Sequence, residues 1–222
     1  FDTSTETLSI AVQHGDQVHC VRGPGGARAS ACLIPDSMAL LAQAGLTLAD
    51  LDVIAFGQGP GAFTGLRGAC AVAQGLAYGA GKAVLPMGSL MAVAEAARQQ
   101  TGATRVLAVL DARMNEVYSA AYEYILAAGP DTPAHWREVQ ALQVGAAADL
   151  HWPTDEVANA HPGTAWTVAG NAFAHYGDQM PPALQQAAQV TAIPDAEHML
   201  RLVPALLAQG LAVPPEQAMP VY

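Results

Sequence analysis

Leu51-Asp52-Val53-Ile54-Ala55-Phe56-Gly57-Gln58-Gly59-Pro60-Gly61-Ala62-Phe63-Thr64-Gly65-Leu66-Arg67 runs from a short apolar stretch, β-branched in part, through a glycine-rich turn into a segment without proline as far as Tyr78. The first stretch reads as a buried strand bounded by glycine, and Ala62 to Tyr78 reads as a helix. A helix that begins after a glycine turn leaves its first N–H groups free, and anions bind there readily. The same corner can instead serve close packing. Which of the two holds decides whether the chain looks like an enzyme.

Upstream, Leu8-Ser9-Ile10-Ala11-Val12 and Gln17 to Val21 flank a Gly15-Asp16 turn and read as a hairpin. Ser30 to Ala44 reads as a helix with Pro35 as a local irregularity. Downstream come a strand at Ala83-Val84-Leu85 and a helix from Ser89 to Gln100, which complete a unit of residues 1–102. The order then restarts: the apolar strand Arg105 to Leu110, the polar turn Asp111 to Glu116, and a return strand Val117 to Tyr124. This strand, carboxylate-bearing turn and strand echo the start of the chain and suggest a second, smaller half over 103–222. Within it, Ala127 to Pro162 reads as loop-rich surface. Thr167-Val168-Ala169 reads as a strand that meets Gly170, Ala196 to Ala208 as a helix that packs back on the first half, and the tail as extended.

Of 222 residues, 52% are hydrophobic and only 13% charged, against roughly 25% charged in an average globular chain. An apolar surface of that kind points to a permanent protein partner. The net charge of −10, from 19 acidic and 9 basic residues, argues against direct binding of tRNA or DNA, because nucleic-acid affinity rests on cations that displace counterions. No apolar run reaches the roughly 18 residues of a membrane span, and no leader is visible, so no membrane role and a cytoplasmic location are expected. Cys20, Cys32 and Cys70 lack a C-x-x-C spacing and read as reduced, buried side chains. The chain opens on Phe1 rather than methionine, and loss of preceding residues would shorten the first strand.

Gly65, Gly68, Gly75 and Gly79 recur at spacings of three, seven and four, roughly along one stripe of the helix after the turn, with Ala69, Ala71, Ala73 and Ala77 beside them. Each interior glycine costs about 1 kcal/mol relative to alanine, so something must approach closely. That neighbour is the chain's own sheet or, in addition, a partner helix. Asp2-Thr3-Ser4-Thr5 sits where a strand turns into the hairpin and could cradle phosphate through backbone N–H groups. Its sequence fits an ordinary Asx or Ser/Thr turn better, which leaves Asp2, Thr3 and Ser4 as weak nucleotide candidates. At the comparable Asp111, Arg113 stands where a phosphate-gripping turn would want glycine. The histidines, 14, 19, 135, 151, 161, 175 and 198, show no H-x-x-x-H or H-E-x-x-H spacing, and no serine lies in G-x-S-x-G. The residues thus offer no metal, no catalytic group and no cofactor site.

Phe1 to Thr5, the G-P-G-x-F-T-G-x-R run of Gly59 to Arg67, Gln74-Gly75-Leu76-Ala77, the D-A-R-x-x-E-V-Y run of Asp111 to Tyr118, and Met219-Pro220-Val221-Tyr222 together resemble the bacterial TsaB (YeaZ) family over nearly the whole chain. The match is weak between about 127 and 195. The resemblance implies an α/β, actin-like and sugar-kinase-like fold of two related α/β halves. It implies a pseudo-enzyme paralogue of a threonylcarbamoyltransferase, acting as the non-catalytic subunit in formation of threonylcarbamoyladenosine beside the tRNA anticodon. Its partners would be the catalytic paralogue TsaD and the ATPase TsaE, to which ATP and metal belong, with a homodimer when alone. Where members often carry a histidine six residues ahead of Pro35, this chain has Ala29.

Family dimers use the first-half helices, so the resemblance places the partner interface on Leu33, Met38 and Leu41 of one helix and on Phe63, Gly65, Leu66, Gly68, Cys70, Val72, Gly75 and Leu76 of the next. Two other functions have their own requirements. A nucleotide-dependent kinase or transferase of the same superfold would need a phosphate grip in both halves, and a peptidase would need a nucleophile or metal constellation.

Overall fold

The computed structural model describes residues 1–129, 132–153 and 165–222. Two compact units emerge, one of Phe1–Ala92 with Pro194–Tyr222 and one of Val93–Ile193.

In the first unit, β1 (Thr7–His14) and β2 (Gln17–Pro24) form an antiparallel hairpin in which Ile10 faces Val21. Helix α1 (Ala27–Gln43) follows, then β3 (Val53–Gly59), α2 (Phe63–Ala80) and β4 (Ala83–Gly88). β3 and β4 pair in parallel, with Ile54 opposite Val84, so α2 is the crossover between them. α2 ends at Gly81, whose φ of 65° supplies the left-handed cap. Alternation along β1 sorts its side chains by face. Leu8, Ile10 and Val12 pack with Ala29, Leu33, Leu40 and Leu41 of α1, while the Ser9 hydroxyl, on the other face, accepts from the Ala196 N–H at 2.9 Å. Ile54 and Phe56 pack with Ala69, Cys70, Ala73 and Ala77 of α2. Alanines at these positions bring the helix close to the strands.

The returning segment forms α6 (Ala196–Leu200) and α7 (Val203–Ala208). Arg22 anchors it by a fork on Asp195, Nε to Oδ2 at 2.6 Å and Nη2 to Oδ1 at 2.9 Å, and Nη2 also reaches Glu197 at 2.7 Å. Burial pushes the Asp195 carboxyl up, but the bonds from Arg22 and the Glu197 N–H outweigh it and hold the group below its ordinary value.

The second unit holds one sheet in the order β7-β6-β5-β8-β9, built from β5 (Arg105–Arg113), β6 (Glu116–Ile125), β7 (His135–Ala146), β8 (Thr167–Gly170) and β9 (Ala188–Thr191). β5, β6 and β7 run antiparallel in turn, whereas β8 and β9 continue parallel to β5. The whole of Arg105 to Leu110 is buried, as expected of a central strand covered on both faces. Two short helices, α4 (Phe173–Tyr176) and α5 (Pro182–Gln185), pack Tyr176 and Leu184 against Leu107, Val109 and Val168.

Helix α3 (Ser89–Thr101) crosses the division between units. Its buried Glu95 accepts from Arg98 Nε and Nη2, each at 2.9 Å, from Gln99 Nε2 at 2.6 Å and from Trp136 Nε1 at 2.9 Å. Burial pushes this carboxyl up, and the four bonds more than reverse the effect. A depressed value means the contribution is complete above the ordinary glutamate range and is lost as pH falls through the depressed value. Glu95→Gln should therefore lower the unfolding free energy by about 2 kcal/mol at pH 7 and flatten the acid limb of a urea-denaturation series.

Several sequence expectations change. The first division falls at 92/93 rather than at 102/103, where Glu95 ties α3 to β7, and the segment from Pro194 belongs with the first unit, held there by Arg22. The stretch expected as loop contains β7, a largely exposed edge strand stabilised by pairing with β6, which leaves little periodicity to read. Residues 130–131 and 154–162 of that stretch, His161 included, lie outside the described residues. The expected helix over 196–208 is two helices, since Pro204 has no N–H to give the Leu200 carbonyl. α1 starts at Ala27 and continues as a helix through Pro35. Cys70 is buried, but Cys20 and Cys32 are exposed. Among the described residues no helix is long and apolar enough to cross a membrane.

Candidate partner interface

The glycine corner is filled by the chain's own backbone. The Asp2 carboxylate accepts from the Ser4 N–H at 2.8 Å and the Ser4 hydroxyl at 2.7 Å, the Asx turn that its sequence favours. Ser4 in turn accepts from the Ala62 N–H at 2.7 Å, at the start of α2, and the Thr3 hydroxyl donates to the Gly65 carbonyl at 2.8 Å. A Cβ at Gly57 would strike Asp2 Oδ2, one at Gly61 the Ser4 carbonyl, and one at Gly65 the Thr3 carbonyl. On the outer side, Val221 N–H donates to the Gln58 carbonyl at 2.7 Å. The Tyr222 ring lies 4.9 Å from that of Phe63, and Arg67 Nε donates to the Tyr222 hydroxyl at 2.9 Å. Asp2 Oδ1, Thr3 and Ser4 are thus bonded within this corner, while Asp2 Oδ2 is buried without a hydrogen-bond partner among the described residues. Burial pushes the Asp2 carboxyl up against its two bonds from Ser4.

α2 has two faces. Gly65, Leu66, Ala69, Cys70, Ala73 and Ala77 are buried, while Thr64, Arg67, Ala71, Gly75, Tyr78 and Gly79 are exposed and Gly68, Val72 and Leu76 lie at the border. α1 divides likewise: Leu33 and Leu41 are buried, and Ile34 and Met38 are exposed. The helices approach where a Cβ on Gly68 would stand 3.6 Å from the Ser30 hydroxyl, an ordinary contact. The expected interface is therefore corrected. Leu33, Leu41, Gly65, Leu66 and Cys70 face the unit's own core and cannot meet a partner. Met38, Phe63 and Gly75 remain on the surface, with Gly68, Val72 and Leu76 partly so.

The sequence reading missed Ile34 and Tyr78, which are 45% and 81% exposed beside Met38 at 42% and Phe63 at 53%. Helical spacing carries a signal for the first, since Ile34 and Met38 are four apart and 100° off the Leu33, Ser37 and Leu41 face. The glycines divide in a way that matters more. Among the described residues, a Cβ at Gly75 or Gly79 would meet nothing within 4 Å, so no described residue compensates the roughly 1 kcal/mol each costs.

In the second unit, Arg113, Met114 and Asn115 all take positive φ, at 67°, 52° and 63°. Asp111 holds that tip by accepting from the Arg113 N–H at 2.7 Å and the Tyr176 hydroxyl at 3.1 Å. The carboxylate of the D-A-R run is thus a turn-forming group. Among the described residues, no group of three or more His, Cys, Asp or Glu side chains is placed to hold a metal ion.

A crossover helix on a parallel pair and a second, mixed sheet make this an α/β protein of two units, the class to which the resemblance joins an actin-like, sugar-kinase-like fold. Residues 28–202 match the family model described as TsaD: tRNA N6-adenosine threonylcarbamoyltransferase. The chain is 32% identical to the tRNA threonylcarbamoyladenosine biosynthesis protein TsaB of Escherichia coli K12 over 100% of its own length and 91% of the relative's. It is 43% identical to the Haemophilus influenzae protein of the same name over 53% of this chain and 50% of that one. Among solved structures, YeaZ from Pseudomonas aeruginosa superposes with a TM-score of 0.85 at 36% identity, covering 100% of this chain and 96% of that one. The chain belongs to this TsaD-related family, in its TsaB (YeaZ) branch.

Proposed function

We propose that this chain is the non-catalytic subunit that binds and supports a TsaD-type transferase in forming threonylcarbamoyladenosine on the adenosine beside the tRNA anticodon. The α1–α2 face is the contact. The observation that carries this reading is Gly75 and Gly79, open on an exposed helix face next to Ile34 and Met38: small residues there let another helix backbone approach. Without the transferase the same face pairs two copies, since a two-fold contact needs only one self-complementary patch. ATP and metal belong to the partners, TsaD and the ATPase TsaE. The net charge of −10 leaves tRNA contact to them.

The test is depletion of this chain in its host, followed by mass spectrometry of nucleosides from bulk tRNA. Threonylcarbamoyladenosine should disappear and return with the wild-type chain. Full modification in the depleted cells would refute the assignment.

A further inference from the structure

Arg22, Arg98, Arg105, Arg113 and Arg137 each pair with a carboxylate of the chain itself. Among the described residues Arg28, Arg67, Lys82 and Arg201 form no ion pair. Arg67 is nevertheless held in place. Its guanidinium carbon lies 3.8 Å from the centre of the Phe63 ring and 5.8 Å from that of Tyr222, a placement that the ring quadrupoles favour, and its Nε donates to the Tyr222 hydroxyl at 2.9 Å. That leaves both Nη groups as donors that no described residue takes. A guanidinium already ordered in this way loses little freedom when it forks onto a carboxylate.

The clamp depends on the C-terminal strap. Phe63, Arg67, Cys70 and Gln74 recur at spacings of four, three and four, which puts them on one stripe of α2. Cys70 Sγ and Gln74 Nε2 donate to the Ala218 carbonyl at 3.4 and 3.1 Å, and the Val221 N–H donates to the Gln58 carbonyl at 2.7 Å. The strap is thereby led back along α2 until Tyr222 meets Phe63 at its first turn.

Arg67 also starts the open face. Arg67, Ala71 and Gly75 lie four residues apart along α2 and all are exposed, so the ordered guanidinium and the small residues form one ridge. The charge of the chain divides accordingly. α1 and α2 carry Arg28 and Arg67 against Asp36, one net positive charge, which leaves −11 for the remaining residues to make the total of −10. The α1–α2 face is thus the part of an acidic protein that does not repel an acidic neighbour. We propose that Arg67 is the polar anchor of this face and takes a carboxylate on the facing helix of the transferase partner, with Phe63 and Tyr222 as positioning residues. From the same two helices a second copy would offer Asp36 alone, so the anchor favours a carboxylate-bearing partner over self-pairing. This inference rests on the proposed role of the α1–α2 face.

The experiment measures the affinity of the TsaD-type paralogue for the wild-type chain, for Arg67→Ala and Arg67→Glu, and for Arg201→Glu as a control of equal charge change, at two salt concentrations. Arg67 and Arg201 are exposed, so each variant should stay folded, which thermal melts check. Arg67→Ala should weaken binding at least about tenfold and Arg67→Glu at least about 100-fold, with Arg201→Glu within about twofold of wild type. The wild-type affinity should also fall more steeply with salt than that of Arg67→Ala. Wild-type binding that Arg67→Glu leaves intact, or that Arg201→Glu weakens equally, overturns the anchor and leaves the contact standing. Failure of the wild-type chain to bind overturns the proposed contact and the anchor with it. Sedimentation of the chain alone separates the occupants: a loss of self-association by Arg67→Glu as large as the loss of paralogue binding would assign the carboxylate to a second copy and overturn the proposal. Tyr222→Ala should weaken binding about fivefold alone and not at all in the Arg67→Ala background, and additive losses would overturn its positioning role.

Discussion

Gly65→Ala should lower the unfolding free energy by about 3 kcal/mol or more, even though alanine favours a helix by about 1 kcal/mol over glycine. The added Cβ would run into the carbonyl oxygen of Thr3, and that oxygen cannot step aside. Thr3 is buried, its hydroxyl is bonded to the Gly65 carbonyl at 2.8 Å, and its neighbour Asp2 is held to Ser9 by two backbone bonds. The cost therefore falls on backbone at the corner where α2 leaves β3. Urea denaturation measures it directly, with Gly75→Ala as the control on the same helix, expected to gain about 1 kcal/mol. A neutral Gly65→Ala would show that the corner yields and that this glycine is not required by close approach.

Gly75→Leu should leave the isolated chain folded and weaken the proposed complex with the TsaD-type paralogue at least about 100-fold, close to 3 kcal/mol. No described residue of the chain stands within 4 Å of a Cβ at this position, and leucine is a good helix former. The loss would come from a bulky group thrust into the approach of the facing helix. Co-purification of the tagged paralogue with wild-type and variant chains, together with thermal melts of each chain alone, separates interface from fold. An unchanged yield would sink the interface while leaving the family assignment intact. A variant that melts far below wild type would place Gly75 with Gly65 as an internal glycine.

Much of the first unit could be read from residues alone. The hairpin around Gly15-Asp16, the strand at Val53, the corner and α2 all carry local signals: alternation, glycine boundaries and a long stretch free of proline. β7 could not be read, because an edge strand gains its stability from backbone bonds to β6, and those impose little pattern on its side chains. The break between α6 and α7 could have been read from Pro204, a residue whose effect is local. The attachment of the returning segment to the hairpin could not, since it depends on Arg22 meeting Asp195 across 173 positions.

The candidate interface shows the same division on a single helix. The sequence by itself determined that α2 is glycine- and alanine-rich beyond what helix formation tolerates without compensation, and that the compensation must be close approach. It also determined the angles: Gly65 and Gly75 are ten residues apart and so about 80° apart around the axis. Only the tertiary structure decided which of the two faces is covered. Gly65 lies against Thr3, in a turn 62 positions away, whereas Gly75 lies in the open. The physical reason is that periodicity fixes directions relative to a helix axis, while burial depends on which distant backbone arrives along each direction.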